Sequence, residues 1–456
     1  MSSARNRQNS LFETNSDVEN LTFAVDRKAG GYTSNIAKPA KPSALFHSSP
    51  QRHELSPEHT AIVKSTAPVL AEHGIAITSH FYKRLLANHP ELRNVFNTAH
   101  QSTGGQSAAL AHAVWSYTAN IDNLGALTQA ISRIGNKHAS LSVSADECPV
   151  VGDNLLASIK EVLGDAVDQP VLDAWKAAYE QLADIFIDFE RDLYQKAELT
   201  PGGWTGWREF VIARKVHESD EIISFHLQPK DKRPLPAFKA GQYISVRVFV
   251  PELGVYQPRQ YSLSDNAGGK HFRISVKKES AKGELPAGRI SNVLHAQLPE
   301  GAELEASMPF GDITLDVDAD TPVVLISGGV GITPMMSMLS TIIWQRNKRP
   351  VMFIHETRNG RVHTMKDYLS QVMQDNPQVS RAIFYEEVDD FDTKGFDYDH
   401  EGRVVLAKIK DQAILPNADY YLCGPVPFMR AQQGSLEALG VPSHRIHSEV
   451  FGSGVA

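Results

Sequence analysis

The sequence predicts a multidomain protein with three unlike modules in series: an all-α module, an antiparallel β-barrel and a doubly wound α/β module. Three observations predict it. From residue 53 to 198 apolar residues recur at three- and four-residue spacing, and no strand-like alternation interrupts them. From 206 to 316 short runs rich in β-branched and aromatic residues alternate in polarity between turn residues. From 320 to 456 apolar strands alternate with helical stretches, the first joined through a glycine-rich turn. At 456 residues the chain is also too long for one ordinary core, which stops growing near ~250–300 residues.

Ahead of these modules, residues 1–52 are rich in Ser, Asn, Ala and Pro and carry little periodic apolarity, the composition of a disordered tail or targeting segment. No acidic residue falls between Arg27 and Arg52, a bias shared with mitochondrial transit peptides, but Glu13, Asp17, Glu19 and Asp26 break that pattern upstream. A cytoplasmic location is the expectation, with a mitochondrial address as the alternative. The formal net charge of -8 argues against nucleic acid as a partner, since phosphate binding needs a surplus of Lys and Arg. Cys148 and Cys423 lie too far apart to form a disulfide framework, which points to a reducing compartment. No apolar run approaches the roughly 18 residues of a membrane-spanning helix, so no integral membrane segment is expected.

The first helix is announced by Ser56 as N-cap, Pro57 at the first helical position and Glu58 in the first turn, and it is expected to stop near Gly74. Helical periodicity continues in "AITSHFYKRLLANHPELRNVF", "GQSAALAHAVWSYTANI", "LGALTQAISRIGNKHASL", "VVGDNLLASIKEVLG" and "PVLDAWKAAYEQLADIFIDFERDLYQK". In the last of these, Leu172, Trp175, Tyr179, Leu182, Phe186 and Phe189 line one face. "LTPGGWTGWREF" is a Pro- and Gly-punctuated joint. Beyond it "REFVIARKV", "EIISFHLQP", "YISVRVFV", "RQYSLS", "HFRISVKK" and "AELEASMP" read as barrel strands. The third module opens with "PVVLISGGVGITPMMSMLSTIIW", followed by "PVMFIHETRN", "RAIFYEEV" and "DYYLCGPVPFMRAQQGSLEALG". No internal repeat links the three.

"SGGVGITP" follows a buried strand and opens a helix, where glycines let backbone N–H groups approach a phosphate, although an ordinary tight turn uses the same residues. "YLCGPVPFM" ends a second strand of the same module, and two such loops at the carboxyl ends of parallel strands define a nucleotide crevice. In "RQYSLS" strand alternation puts Arg259 and Tyr261 on one face and Ser262 on the other. A cation beside an aromatic plane can bind a flavin's diphosphate and stack on its ring. The helix start Gly288–Ser291 in "PAGRISNVLH" offers another diphosphate position. His138, within the apolar rhythm of Ile131, Ile134 and Leu141, reads equally as a core histidine or a metal ligand. The residues alone do not separate it from His80, His89, His100 or His112.

From about 206 to 456 the chain resembles the ferredoxin reductase family, through "GQYISV", "RQYSLS", "GRIS", "GGVGITP", "CGPVPFM" and "EVFGS" in that order. The resemblance implies an FAD site at Tyr243, Arg259, Gln260, Tyr261, Ser262, Gly288, Ser291 and the stretch Val450, Phe451, Gly452, Ser453. It implies an NADH or NADPH site at Gly329, Val330, Gly331, Ile332, Thr333, Pro334 and the turn Cys423, Gly424, Pro425. The helical module resembles a globin, through Tyr82 in "HFYKRLL", Phe96 in "LRNVFN", Gln106 and Leu110 in "GQSAAL", His138 in "NKHAS", and Glu190.

The combination is similar to the flavohaemoglobins from about residue 54 onward, with a globin at 53–198, an FAD barrel at 206–316 and an NAD(P) module at 320–456. That likeness implies haem b with His138 as the proximal iron ligand, a gas-binding side formed by Tyr82, Gln106 and Leu110 beside Phe96, and Lys137 and Glu449 near the haem–flavin junction. The activity implied is a nitric oxide dioxygenase: NAD(P)H reduces FAD, FAD reduces the haem iron, and nitric oxide and O2 become nitrate. Its partners would be small molecules only, and the chain a monomer. A gas sensor, or a general reductase of haem, quinones or hydroperoxides, is the alternative. A sensor would carry a signalling output domain, whereas this chain carries an electron input. Two positions depart from the family pattern. Cys148 stands where a tyrosine normally supports the proximal histidine together with Glu190, and Ser453 stands at a usual proline. Arg358 in "ETRNG" is placed to meet a 2'-phosphate, which leaves NADH and NADPH both open.

Overall fold

Helix formation begins where the first cap stands: the Ser56 hydroxyl accepts the His59 N–H at 3.1 Å, and α1 runs Pro57–Ser65. The computed structural model describes residues 53–97, 104–281, 283 and 286–452, so the calls on residues 1–52, His100 and Ser453 fall outside the described residues. The first helix does not stop near Gly74. It ends at Ser65, and α2 (Ala67–Asn88) passes straight through Gly74. Proline at position 68 cannot continue α1, because its ring would clash with the carbonyl four residues back and it has no N–H to donate. Gly74 instead serves a crossing: a Cβ there would stand 3.3 Å from the Ala111 Cβ of α3 (Gly105–Ala119).

The helical module continues with α4 (Thr128–Ser140), α5 (Glu147–Leu163) and α6 (Gln169–Leu199). The Asp168 side chain caps α6 by accepting the Val171 N–H at 3.1 Å. The expected face of α6 is the one that packs: Trp175 is buried with Phe81, Leu85 and Ile159, and Leu172, Tyr179 and Leu182 join that core. Each such large apolar side chain contributes about 1.5–3 kcal/mol by leaving water.

All six expected strands of the second module form: β1 (Arg208–His217), β2 (Ile222–Pro229), β3 (Tyr243–Val250), β4 (Val255–Ser262), β5 (Phe272–Lys277) and β6 (Glu303–Ala306). They pair in the order β4-β3-β6-β1-β2-β5, antiparallel throughout. A bulge between Ile212 and Arg214 bends β1. The two edges then meet through the Leu263–Ile274 bridge and the Ser264 N–H to Arg273 C=O bond of 2.9 Å, which closes the sheet into a barrel. A short helix, α7 (Arg289–Ala296), seals it with Ile290 and Leu294 in the barrel core.

In the third module β7 (Val323–Gly328), β8 (Val351–Thr357), β9 (Val379–Tyr385), β10 (His400–Glu401), β11 (Asp419–Cys423) and β12 (Ile446–Glu449) form a parallel sheet. Its order is β10-β9-β8-β7-β11-β12. Helices α8 (Ile332–Trp344) and α9 (Lys366–Asp375) pack their apolar residues into the core on one face, and α10 (Val426–Ala438) into the core on the other. The strand order reverses between β7 and β11, so the crevice of a doubly wound sheet opens where those two strands end. Those ends are the two glycine loops. The described residues belong to one compact unit, and a small apolar seam of Ala139, Ala197, Met308 and Phe310 joins the helical module to the barrel.

Candidate functional site

On the last turns of α4, His138 donates its Nδ1–H to Glu190 Oε1 of α6 at 2.7 Å. Glu190 is only 3% exposed, whereas the His138 side chain is 37% exposed, so the carboxylate is locked while the ring's far edge is open. The carboxylate fixes the tautomer: Nδ1 carries the proton and Nε2 keeps a free lone pair. Phe186 lies against the imidazole, with ring centroids 5.5 Å apart. Gly135, one turn earlier, admits the Phe189 ring so closely that a Cβ would come within 2.3 Å of it. Among the described residues no group of three His, Cys, Asp or Glu could hold a metal ion. A metal bound through His138 therefore needs a macrocycle to supply its remaining ligands, which fits haem.

Tyr82 and Phe96 meet edge to face at 5.6 Å, and the Gln106 side chain bonds the Tyr82 phenol. Burial, the largest influence, pushes the Tyr82 phenol well above its ordinary pKa, so it stays a hydrogen-bond donor. The Gln106 Oε1 is buried without a partner among the described residues, and Leu110 packs into the same apolar cluster. Tyr82, Phe96, Gln106 and Leu110 thus come together as expected.

The junction with the barrel is hydrogen-bonded. β3 and β4 pair with Tyr243 opposite Ser262 and Ser245 opposite Gln260, so these four share a face, while Arg259 and Tyr261 share the other with Val246 and Ile244. Ser245 Oγ, fully buried, donates to Ser140 Oγ at 2.8 Å, and Gln260 Nε2 donates to Ser245 Oγ at 3.1 Å. Ser140 lies two residues beyond His138 and donates in turn to the Lys137 carbonyl at 2.8 Å. The Asn136 side chain accepts the Gly311 N–H at 3.0 Å. The helix bearing His138 is therefore tied to β3 directly and, through Ser245 and Gln260, to the strand bearing the "RQYS" motif. None of these tying residues except Gln260 was expected, since each is an ordinary small polar residue until its partner, more than a hundred positions away, is known.

Lys137 and Glu449 are both half-buried near this seam. Burial depresses the Lys137 pKa, and it pushes Glu449 up to about 8, with Asp312 adding to the rise and Arg133 opposing it. The Glu449 Oε2 has no hydrogen-bond partner among the described residues. Burial likewise raises the Tyr243 phenol, assisted by Glu449 and Asp312. Glu449 stands opposite Cys423 in the β11–β12 register, and the buried thiol of Cys423 is raised well above its usual value.

Arg259 is half-buried, donates to the Pro258 carbonyl at 2.6 Å, forms no ion pair among the described residues, and has its pKa lowered to about 10 by burial, with Tyr261 opposing. A partly desolvated cation without an acidic partner is a socket for an anion. Ser262 Oγ is buried and unpartnered among the described residues. Both fit a flavin nucleotide. Gly288 and Ser291 are less available: the Ser291 hydroxyl donates to the Gly288 carbonyl at 3.1 Å and accepts the Glu279 N–H at 3.2 Å. Val450 packs into the nucleotide module's core, and Phe451 is 37% exposed. At the crevice, a Cβ on Gly331 would lie 2.2 Å from the Cys423 carbonyl oxygen, and one on Gly424 3.1 Å from the Gly328 nitrogen. The two loops touch backbone to backbone, a cradle only glycine permits. Gly329 is exposed and Val330 half-buried, while Ile332, Thr333 and Pro334 are buried beneath them. Those three can offer a nucleotide their backbone but not their side chains. Arg358 is ion-paired with Glu221 of the barrel.

A globin profile matches residues 79–186, and an oxidoreductase NAD-binding domain profile matches residues 325–434. The chain is 53% identical over 401 residues to a flavohaemoprotein of Bordetella pertussis, covering 88% of this chain and 99% of that relative. It is 51% identical over 391 residues to a flavohaemoprotein of Rhizobium meliloti, covering 86% and 96%. The chain belongs to the flavohaemoprotein family. Among solved structures, the flavohaemoglobin of Malassezia yamatoensis, crystallised with FAD and haem, aligns with a TM-score of 0.76 at 28% identity over 87% of this chain and all of that one. As a flavohaemoprotein the chain is an oxidoreductase, a globin fused to a flavin and pyridine-nucleotide reductase. Cys148 remains the departure. It is half-buried, and its thiol is pushed up to about 11 by burial, then by Glu190 and Glu147, so it sits protonated in the field of Glu190. A thiol is a weak hydrogen-bond donor.

Proposed function

We propose that this flavohaemoprotein is a nitric oxide dioxygenase driven by NADH or NADPH. The observation that carries the reading is the Gln260–Ser245–Ser140 tie, which joins the strand of the flavin motif to the helix of the open histidine. A gas sensor has no use for such a tie; an enzyme that must reload its gas-binding centre with electrons does. Bound NAD(P)H, FAD and haem would supply hydride delivery, its division into single electrons, and gas activation at iron.

The chain's own residues supply placement and tuning. His138 Nε2 would hold the iron, and the buried Glu190 charge makes the imidazole a stronger electron donor. Tyr82, kept protonated by burial, would offer its phenolic O–H to bound gas, with Gln106 beside it. Arg259 would pair with the flavin diphosphate, and Ser262 Oγ and Tyr243 stand on the strand face that meets the helical module. The exposed backbone of Gly329 and Val330 at the start of α8 suits the dinucleotide phosphates. Arg358 is paired with Glu221 at the surface, an interaction weak enough to give way to a 2'-phosphate, so NADH and NADPH both fit the site. The test is NADH oxidation under air with and without nitric oxide. Nitrate formed in step with NADH consumed supports the proposal; haem reduction without nitrate identifies a general reductase, and a gas-dependent spectrum without turnover identifies a sensor.

A further inference from the structure

The strand that carries the flavin motif also reaches the gas-binding wall. At the start of β4 the Tyr256 N–H donates to Asn94 Oδ1 at 2.9 Å. The next residue, Gln257, is fully buried and its amide donates to the Arg93 carbonyl at 2.8 Å, the neighbouring Tyr256 carbonyl at 3.0 Å and the Phe96 carbonyl at 3.3 Å, so that two N–H groups are shared among three acceptors. Arg93 belongs to the 3-10 turn Pro90–Asn94, and Phe96 lies two residues beyond it, outside regular structure. A buried primary amide is costly unless bonded, and its two N–H groups can serve two carbonyls, which a carboxylate of the same shape cannot. From Phe96 the contact passes to Tyr82 by ring packing, and from Tyr82 to Gln106. In the other direction, Gln257 is separated by roughly 17 Å of extended strand from Ser262 at the end of the flavin motif.

We propose that Gln257 is a positioning residue for the gas-binding pocket: from the flavin-bearing strand it fixes the Phe96 backbone, and with it the ring that braces Tyr82. The inference rests on the reading of Tyr82 as the gas-side donor. A link that served only to hold the two modules together would change stability and leave the pocket's chemistry alone.

The experiment uses the full-length holoprotein and three readouts: O2 dissociation by stopped-flow displacement with carbon monoxide, the C–O stretching frequency of the carbon monoxide complex, and hydrogen exchange across residues 90–96. In Gln257→Ala, O2 dissociation should quicken about fivefold, the equivalent of a hydrogen bond of ~1 kcal/mol, with a shifted C–O stretch and faster exchange, while flavin reduction by NADH is unchanged. Asn94→Ala, a milder cut at the same contact, should move all three readouts in the same direction. In a Tyr82→Phe background the Gln257→Ala effect on O2 dissociation should vanish. An unchanged off-rate and C–O stretch in Gln257→Ala, beside a faster off-rate in Tyr82→Phe, overturns the inference alone, as does equal acceleration in both backgrounds. An unchanged off-rate in Tyr82→Phe itself overturns the reading of the pocket and the inference with it.

Discussion

Replacing Glu190 by Gln isolates the charge behind the proximal histidine. The substitution keeps shape and a hydrogen-bond acceptor but removes the negative charge 2.7 Å from His138 Nδ1. Because Glu190 is 3% exposed, solvent screens little of the loss. A hydrogen bond to a charged group contributes ~1.5–3 kcal/mol against ~1 kcal/mol for a neutral one, so the difference is about 0.5–2 kcal/mol. That charge favours the more positive iron, and for one electron ~1.4 kcal/mol corresponds to ~60 mV. Glu190→Gln should therefore raise the haem potential by about 20–90 mV in a spectroelectrochemical titration, with the flavin potential left in place. A shift below ~15 mV, or a downward one, would refute the argument that the carboxylate pushes electron density toward iron.

The remaining predictions follow from the same geometry. Cys148→Tyr, which restores a phenol near Glu190, should lower the haem potential and raise nitric oxide turnover; an unchanged rate would sink the idea that the thiol weakens the proximal relay. Gly331→Ala drives a Cβ into the Cys423 backbone at 2.2 Å and should cost about 2–3 kcal/mol, seen as a lower Tm and a raised KM for NADH. The buried imidazoles of His355 and His363 stay neutral when folded, the first held to about 4 by burial, the second well below 6.5 by burial and by His355. The unfolded chain takes up those protons near pH 6.5, so between pH 6.5 and 4 it binds more protons than the folded one. Stability should then fall as pH drops through that window, by at most ~1.4 kcal/mol per unit for each histidine. His363→Gln should flatten the slope of Tm against pH.

Much of this was legible in the sequence because polarity period reports local structure. All six barrel strands and the parallel β7, β8, β9 and β11 lie where alternating or continuous apolar runs put them. Gly74 was misread because a glycine that ends a helix and one that lets two helices cross look alike until the opposing Ala111 is known. The Pro68 that does end α1 was visible, and it deserved the greater weight. Within the site, His138 and Glu190 were named through the globin resemblance, and their 2.7 Å bond agrees. Ser140, Ser245 and Gln257 carried no signal, because their role exists only across the seam between modules. The loop residues Ile332 to Pro334 were legible as a motif but not as buried, since depth beneath a glycine turn is a property of the packed sheet.

The central claim is that both atoms of one dioxygen molecule pass to nitric oxide using one electron drawn from NADH. The measurement that tests it most directly is the isotopic composition of nitrate formed from nitric oxide, NADH and 18O2. Nitrate carrying two 18O atoms, at two nitrates per NADH, is the predicted result. Nitrate with one label or none, or NADH consumed without nitrate, would contradict it.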